Sequence, residues 1–365
     1  MRQQNMDKIQ ETRKVLLENS AWEAIYERYA QEIIKNKNKY GSHSRLFQIN
    51  KPLLAYSSIG KVKSDSNTTA YDLRFAGQSV GLIEVNKDKE VLLTVSESQA
   101  KYSKEKFGFS QSKELRRVNW KLDEDAIRFR RFYIGNESTN RVAIKSPEHR
   151  IESELLKEFS KETRRQDKHL CNIQPVRLGG KFFQLTTPLK GSTHIPTLSL
   201  TTNENGATGG GIDILARIKH TAFESRVAII ELKDENIENE SQKVAMYQAL
   251  IYATFIAHLL RSRSGKLWWY IFKNYPSDRD KLKDVTDFSD FTKIYNLLDD
   301  VPEQLHLDVV TLMPEGHSEE GELDDLTIDE LNVKLHLYTL YYKADSKGNP
   351  CEFLGTLVDE LKPYQ

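Results

Sequence analysis

The segment Val227–Lys233, VAIIELK, constrains the fold more than any other stretch of this chain. Its apolar residues run almost without interruption, which marks a strand covered on both faces rather than one with a solvated side. Two charges then arrive at its end. Period-two alternation places Glu231 and Lys233 on the face that carries Val227 and Ile229. A carboxylate and an ammonium therefore project side by side from a covered sheet. Burying such a pair is costly unless good geometry, a metal or a substrate compensates.

A second acid lies in the preceding strand-like segment, GIDILARI. Ile212, Ile214, Ala216 and Ile218 take one face, while Asp213 and Leu215 take the other. If the two strands are neighbours, Asp213 and Glu231 converge on one divalent cation, with the backbone carbonyl of Leu232 as a third oxygen ligand. Hard oxygen ligands without an accompanying His or Cys point to Mg²⁺, for which Mn²⁺ can substitute. In the following helical segment, SQKVAMYQALIYATFIAHLL, a stripe of Val244, Ile251, Tyr252, Phe255 and Leu259 carries Gln248 at its middle. A glutamine placed there needs a hydrogen-bond partner. In the helix read from about Pro147 to Arg165, Ile151, Leu155, Leu156 and Phe159 define the inward face, and Glu152 falls on it while Glu154 points away. Gly209–Gly211 reads as a turn, since no phosphate-loop pattern accompanies it, and His149, His220 and His258 have no metal-ligand spacing.

The series of a helix bearing Glu152, then Gly211-Ile212-Asp213, then Glu231-Leu232-Lys233, then Gln248-Ala249-Leu250-Ile251-Tyr252 resembles the PD-(D/E)XK nuclease superfamily. The last element matches the QxxxY signature of its RecB-like exonuclease branch. The resemblance spans roughly Pro147 to Tyr275, and Ile212 stands where the superfamily's name has proline. It implies a restriction-endonuclease-like core, a mixed central sheet flanked by helices, in which Asp213 and Glu231 hold Mg²⁺ and Lys233 positions or deprotonates the attacking water. Gln248 and Tyr252 would orient the lysine, the water or a phosphate, and Glu152 would extend the metal shell. The activity so implied is metal-dependent hydrolysis of DNA phosphodiester bonds, in restriction, phage defence or DNA repair. The same chemistry acts on RNA, which these residues do not distinguish from DNA. A DNA-binding or scaffolding protein that keeps the fold without cleaving is the alternative.

Around this core the chain is long enough, at 365 residues, for two domains. Hydrophobic residues make up 38% and charged residues 29%, the mixture of a globular protein. The longest apolar stretches fall short of a membrane span, and MRQQNMDKIQETRK lacks a secretory leader's apolar core, so a cytoplasmic location without a membrane partner is expected. Cys171 and Cys351 stand far apart with no cluster around them and read as free thiols. Net charge is zero, but 12 acidic residues and no Lys or Arg lie between Asp299 and Glu330, so the remainder carries a positive surplus of the same size. That surplus leaves room for a basic face toward nucleic acid.

Residues 1–145 read as an α+β domain that recognises DNA, senses a signal or binds a partner, with helices in Asp7–Lys37 and strands at TAYDLRF, SVGLIEV, KEVLLTV and IRFRRFYIG. Residues 146–310 hold the nuclease-like core, with strands at KFFQLTTPLK, LWWYIFKNY and LHLDVVTLM and a helix at DFTKIYNLL. Residues 311–365 form an acidic segment and a hairpin around DSKGNP. As a strand, IRFRRFYIG would put Arg128 and Arg130 on one face and Phe129 and Arg131 on the other. Such interleaving suits contact with a nucleic-acid backbone, and equally an amphipathic strand with solvated arginines. Association as a homodimer or with a partner protein stays open.

Overall fold

A computed structural model describes residues 2–57, 68–97, 99, 114–134, 147–159, 169–190, 195–201, 206–234, 241–273, 282, 285, 290–316, 323–346 and 348–361. The protein is mixed α/β and forms two compact units, one of Met1–Lys35, Leu155–Val176 and Gln184–Gln365, the other of Asn36–Glu154 and Arg177–Phe183. The opening helices, α1 (Arg2–Glu18) and α2 (Ala21–Lys35), cluster with the C-terminal elements rather than with residues 36–145. The boundary expected between residues 145 and 146 lies outside the described residues.

The smaller unit starts with α3 (Lys37–His43) and then builds an antiparallel meander of β1 (Leu53–Ser57), β2 (Thr69–Phe75), β3 (Gln78–Val85), β4 (Val91–Val95) and β5 (Leu115–Asn119). Two helices follow, α4 (Glu124–Ile134) and α5 (Pro147–Glu158), the second of which continues into the larger unit. After β6 (Ile173–Pro175), which belongs to the larger unit, the short strands β7 (Arg177–Leu178) and β8 (Lys181–Phe182) add to the edge beside β1. Alternation in β2 and β4 sends Tyr71, Leu73, Val91, Leu93 and Val95 inward, where they meet Phe129 and Tyr133 of α4 in one buried cluster.

The larger unit is a sheet ordered β14-β15-β13-β12-β11-β6. Its strands are β6, β11 (Ile214–Lys219), β12 (Ser225–Leu232), β13 (Leu305–Pro314), β14 (Leu326–Ile328) and β15 (Val333–Ala344), with a separate ribbon of β9 (Leu189–Lys190) and β10 (Thr197–Leu198). β11 runs antiparallel to β12, whereas β12, β13 and β15 are parallel. A hairpin at Asp345–Asn349 returns β16 (Pro350–Leu354) along β15, and α9 (Thr356–Glu360) closes the described chain. The helices α6 (Gln242–Arg261), α7 (Gly265–Lys273) and α8 (Phe291–Leu297) lie between β12 and β13 in sequence. α6 packs on β12 and β13 with one side and on α1 and α7 with another. Being covered this way, it buries far more than the single stripe expected: every residue from Ala249 to Leu260 is buried. It is, among the described residues, the one helix with the length and mean hydropathy, 1.3, to cross a membrane, and burial as a core helix accounts for that composition.

Three local expectations are corrected. IRFRRFYIG is not a strand but most of α4, because Ala126, Phe129 and Tyr133 recur at helical spacing and fill the core, while Asp123 accepts the Asp125 N–H at 2.8 Å at the helix start. Arg128 and Arg130 therefore diverge by about 200° around the helix instead of sharing a face. LWWYIFKNY is likewise helical in α7, where a run apolar on nearly all sides is buried and the Trp268 indole N–H donates to the Tyr26 carbonyl at 3.1 Å. A continuous apolar run has no period with which to choose between strand and helix. KFFQLTTPLK supplies only the two-residue strands β8 and β9. Within the acidic run lie β13, as expected for LHLDVVTLM, and β14, and Asp308 there is fully buried. Cys351 is an exposed free thiol, and the Cys171 side chain lies outside the described residues.

Candidate functional site

The site grows from the β11–β12 register. Ile214 pairs with Ile230, so one step further Asp213 stands opposite Glu231 and their side chains share a face of the sheet. Their carboxylate oxygens lie within 4.8 Å of each other. One Asp213 oxygen accepts the backbone N–H of Leu232 at 2.9 Å, which holds the acid beyond the end of its own strand. In an extended strand the N–H and C=O of one residue face the same edge. The Leu232 carbonyl is therefore turned toward the β11 edge, where Asp213 stands.

Lys233 is fixed from several directions. Its backbone N–H donates to the Leu312 carbonyl of β13 at 2.9 Å, and its own carbonyl accepts from the Tyr342 hydroxyl of β15 at 3.3 Å. The ammonium donates to Glu231 Oε1 at 3.1 Å and to the Gln248 amide oxygen of α6 at 3.3 Å. Glu231 is 1% and Lys233 6% exposed, whereas Asp213 and Gln248 are half-buried, so solvent reaches the group from the Asp213 side. One turn along α6 from Gln248, Tyr252 is hydrogen-bonded to that glutamine; burial first, and the Glu231 charge second, push its phenol well above the usual range. It stays a neutral hydroxyl at any physiological pH.

Two ionised carboxylates at this separation repel by about 3 kcal/mol at an effective dielectric near 20, and a single ammonium offsets only part of that. A divalent cation fits the donor set. Asp213, Glu231 and the Leu232 carbonyl are hard oxygens of the kind Mg²⁺ and Mn²⁺ take, and the carboxylates are close enough for one ion to meet both.

Three residues to which the sequence reading gave no part in the site also belong here. Tyr342 reaches the Lys233 backbone from 109 positions away, and nothing in the alternation of β15 marks it. Gly210 lies so close to Tyr252 that a Cβ would fall on the phenol oxygen, so the glycine run is a packing requirement and not merely a turn. Thr311, paired with Glu231 across the parallel β12–β13 ladder, is 1% exposed and its hydroxyl has no hydrogen-bond partner among the described residues.

The remaining candidates lie in the smaller unit. Glu152 points inward, as helical spacing requires, and is 1% exposed. It accepts from the Tyr56 hydroxyl at 3.2 Å and lies 3.9 Å from Arg74, whose guanidinium stacks 4.0 Å over the Tyr56 ring. Those contacts account for its burial within a polar cluster of that unit. Arg128 is exposed on α4, and Arg130 is half-buried against Trp120. No protein-family model matches this chain, and no curated protein or solved structure matches it either.

Proposed function

We propose that this protein is a Mg²⁺- or Mn²⁺-dependent nuclease that hydrolyses DNA phosphodiester bonds on a restriction-endonuclease-like core. The observation that carries this reading is the meeting of Asp213, Glu231 and Lys233 at one end of a covered strand, with the lysine ammonium held by Glu231 and Gln248. Keeping two acids within 4.8 Å in a mostly buried place opposes folding, and a bound cation gives that arrangement a use. The resemblance of Asp213, Glu231-Leu232-Lys233 and Gln248…Tyr252 to the PD-(D/E)XK pattern supports the same reading.

Asp213, Glu231 and the Leu232 carbonyl would hold the cation, which when bound supplies charge neutralisation and a more acidic water. Lys233 contributes a second positive charge, held so that it need not reorganise as negative charge develops on the phosphoryl oxygens. Glu231 and Gln248 accept hydrogen bonds from two of its N–H groups and aim its Nζ. Tyr252 keeps Gln248 oriented through their hydrogen bond and excludes water behind it. Restriction, phage defence or DNA repair in the cytoplasm is the setting such an activity suits.

The test is degradation of linear and circular DNA, beside matched RNA, by purified protein in Mg²⁺ or Mn²⁺. Cleavage by the wild type that is lost in Lys233→Ala establishes the activity, and cutting of circles identifies an endonuclease. Preference for RNA would correct the substrate. Cleavage retained by Lys233→Ala would overturn the assignment of the site.

A further inference from the structure

The smaller unit carries a concavity of about 360 Å³, lined by Gln48 and Asn50 from the segment before β1, Trp120 after β5, and Ile127, Arg130 and Arg131 of α4. This is the size of a small-molecule site. Its wall is well fixed. The Trp120 backbone N–H donates to the Val91 carbonyl at 2.8 Å, and the Asn119 side chain accepts the N–H groups of Lys121 and Leu122 to hold the turn into α4.

The charges around it are unbalanced. The Arg130 guanidinium stacks 4.9 Å from the centre of the Trp120 ring, and among the described residues it makes a single hydrogen bond, a 3.4 Å contact from Nε to the Ala126 carbonyl. Among the described residues no carboxylate stands within ion-pairing distance of Arg130 or Arg131. Burial, and then the adjacent Arg131 charge, lower the affinity of Arg130 for its proton. Elsewhere in this unit three arginines are matched with acids, Arg74 with Asp72, Arg116 with Glu114 and Arg117 with Glu84, and Arg130 differs from these in facing a cavity. Two guanidinium groups that line one cavity, one of them ordered by an aromatic ring, offer the charge-assisted donors that an oxyanion takes. Gln48 and Asn50, whose exposed amides each offer a donor and an acceptor, can read the polar edge of a planar ring.

We propose that this cavity binds a nucleotide, its phosphate on Arg130 and Arg131 and its base edge on the amides of Gln48 and Asn50. The same chemistry comes from a free mononucleotide or from one unit of a nucleic-acid strand. The proposal does not rest on the nuclease reading, and its test is run in EDTA, where metal-dependent cleavage does not interfere.

The full-length protein is titrated with dAMP by calorimetry and with a fluorescein-labelled single-stranded 12-nucleotide DNA by anisotropy. Inorganic phosphate and deoxyadenosine serve as partial ligands. Arg130→Gln should weaken the bound probe by about tenfold or more, the loss of one charge-assisted contact. Arg128→Gln, which removes the same charge from another face of α4, should weaken it less than about twofold. Arg131→Gln, at an exposed position, repeats the test if Arg130→Gln does not fold. Binding of dAMP that depends on Arg130 identifies a free nucleotide as the ligand, and binding of the 12-mer alone identifies a strand. The proposal is overturned if neither probe saturates, if Arg128→Gln costs as much as Arg130→Gln, or if inorganic phosphate binds as tightly as dAMP.

Discussion

Glu231 and Asp308 lie on adjacent strands of one sheet, at 1% and 0% exposure, on opposite faces, and their surroundings differ in kind. Asp308 has two polar partners, a hydrogen bond with His220 Nε2 at 2.7 Å and the Arg226 guanidinium at 3.3 Å, and Arg226 is itself held by Glu224 at 2.5 Å and Tyr338 at 3.3 Å. Glu231 is compensated by Lys233, but a second carboxylate, Asp213, stands beside it. The difference teaches that a buried charge by itself says little about function. A charge satisfied by fixed opposite charges is part of the scaffold, whereas like charges held together at a half-buried edge retain the capacity to take a cation.

The largest effect that could break this comparison is on catalysis. Asp213→Asn should lower metal-dependent DNA cleavage by about a thousandfold or more, since one metal oxygen goes and the charge facing Glu231 is lost. Urea unfolding of the same variant should show stability unchanged or raised, because a repulsion disappears and the asparagine oxygen can still accept the Leu232 N–H. A large loss of stability instead would make Asp213 a scaffold residue like Asp308.

Asp308→Ala should do the reverse. Leaving Arg226 and His220 without their shared carboxylate should cost about 3–5 kcal/mol in urea unfolding, with cleavage per folded molecule retained. Loss of cleavage at full stability would erase the distinction between the two faces.

A third buried group sharpens the comparison because its buried Nε2 has no hydrogen-bond partner among the described residues. His258 of α6 is 8% exposed, and its pKa is lowered to about 4 by burial first and by the Arg13 charge second. The unfolded chain, with a pKa near 6.5, binds a proton that the folded chain refuses. Stability from this group is complete above about pH 6.5 and lost as pH falls toward 4, by about 3 kcal/mol. His258→Gln should flatten that part of the stability-pH curve, measured by urea unfolding at intervals between those limits; an unchanged slope would show that the carboxylates alone set it.

The smallest effect expected is ligand stabilisation. Mn²⁺ at about ten times its dissociation constant should raise the stability of the wild type by about 1.4 kcal/mol, seen as a higher thermal midpoint, and leave Asp213→Asn unmoved. An equal rise in both would place the ion elsewhere.

Much of the candidate site was legible because it is written in local alternation. The face shared by Glu231 and Lys233, the isolation of Asp213 within apolar neighbours, and the inward Gln248 all follow from period and residue type within single segments. Tyr342 and Gly210 were illegible because their roles are contacts with residues 109 and 42 positions distant. Where one segment permits two periods, reading failed. Ile127, Arg128, Phe129 and Arg130 alternate well enough for a strand, yet Ala126, Phe129 and Tyr133 fill a core only from a helix.

The sequence by itself determined that a covered strand ends in Glu231 and Lys233, that an acid interrupts the apolar pattern at Asp213, and that a long apolar helix follows with a glutamine on it. Only the tertiary structure decided that β11 and β12 pair in the antiparallel register that sets Asp213 opposite Glu231, and that β13 and β15 fix the Lys233 backbone. The physical reason is that alternation within a strand encodes which face a side chain takes, while the choice of neighbouring strand depends on burial and hydrogen bonding summed over the whole sheet.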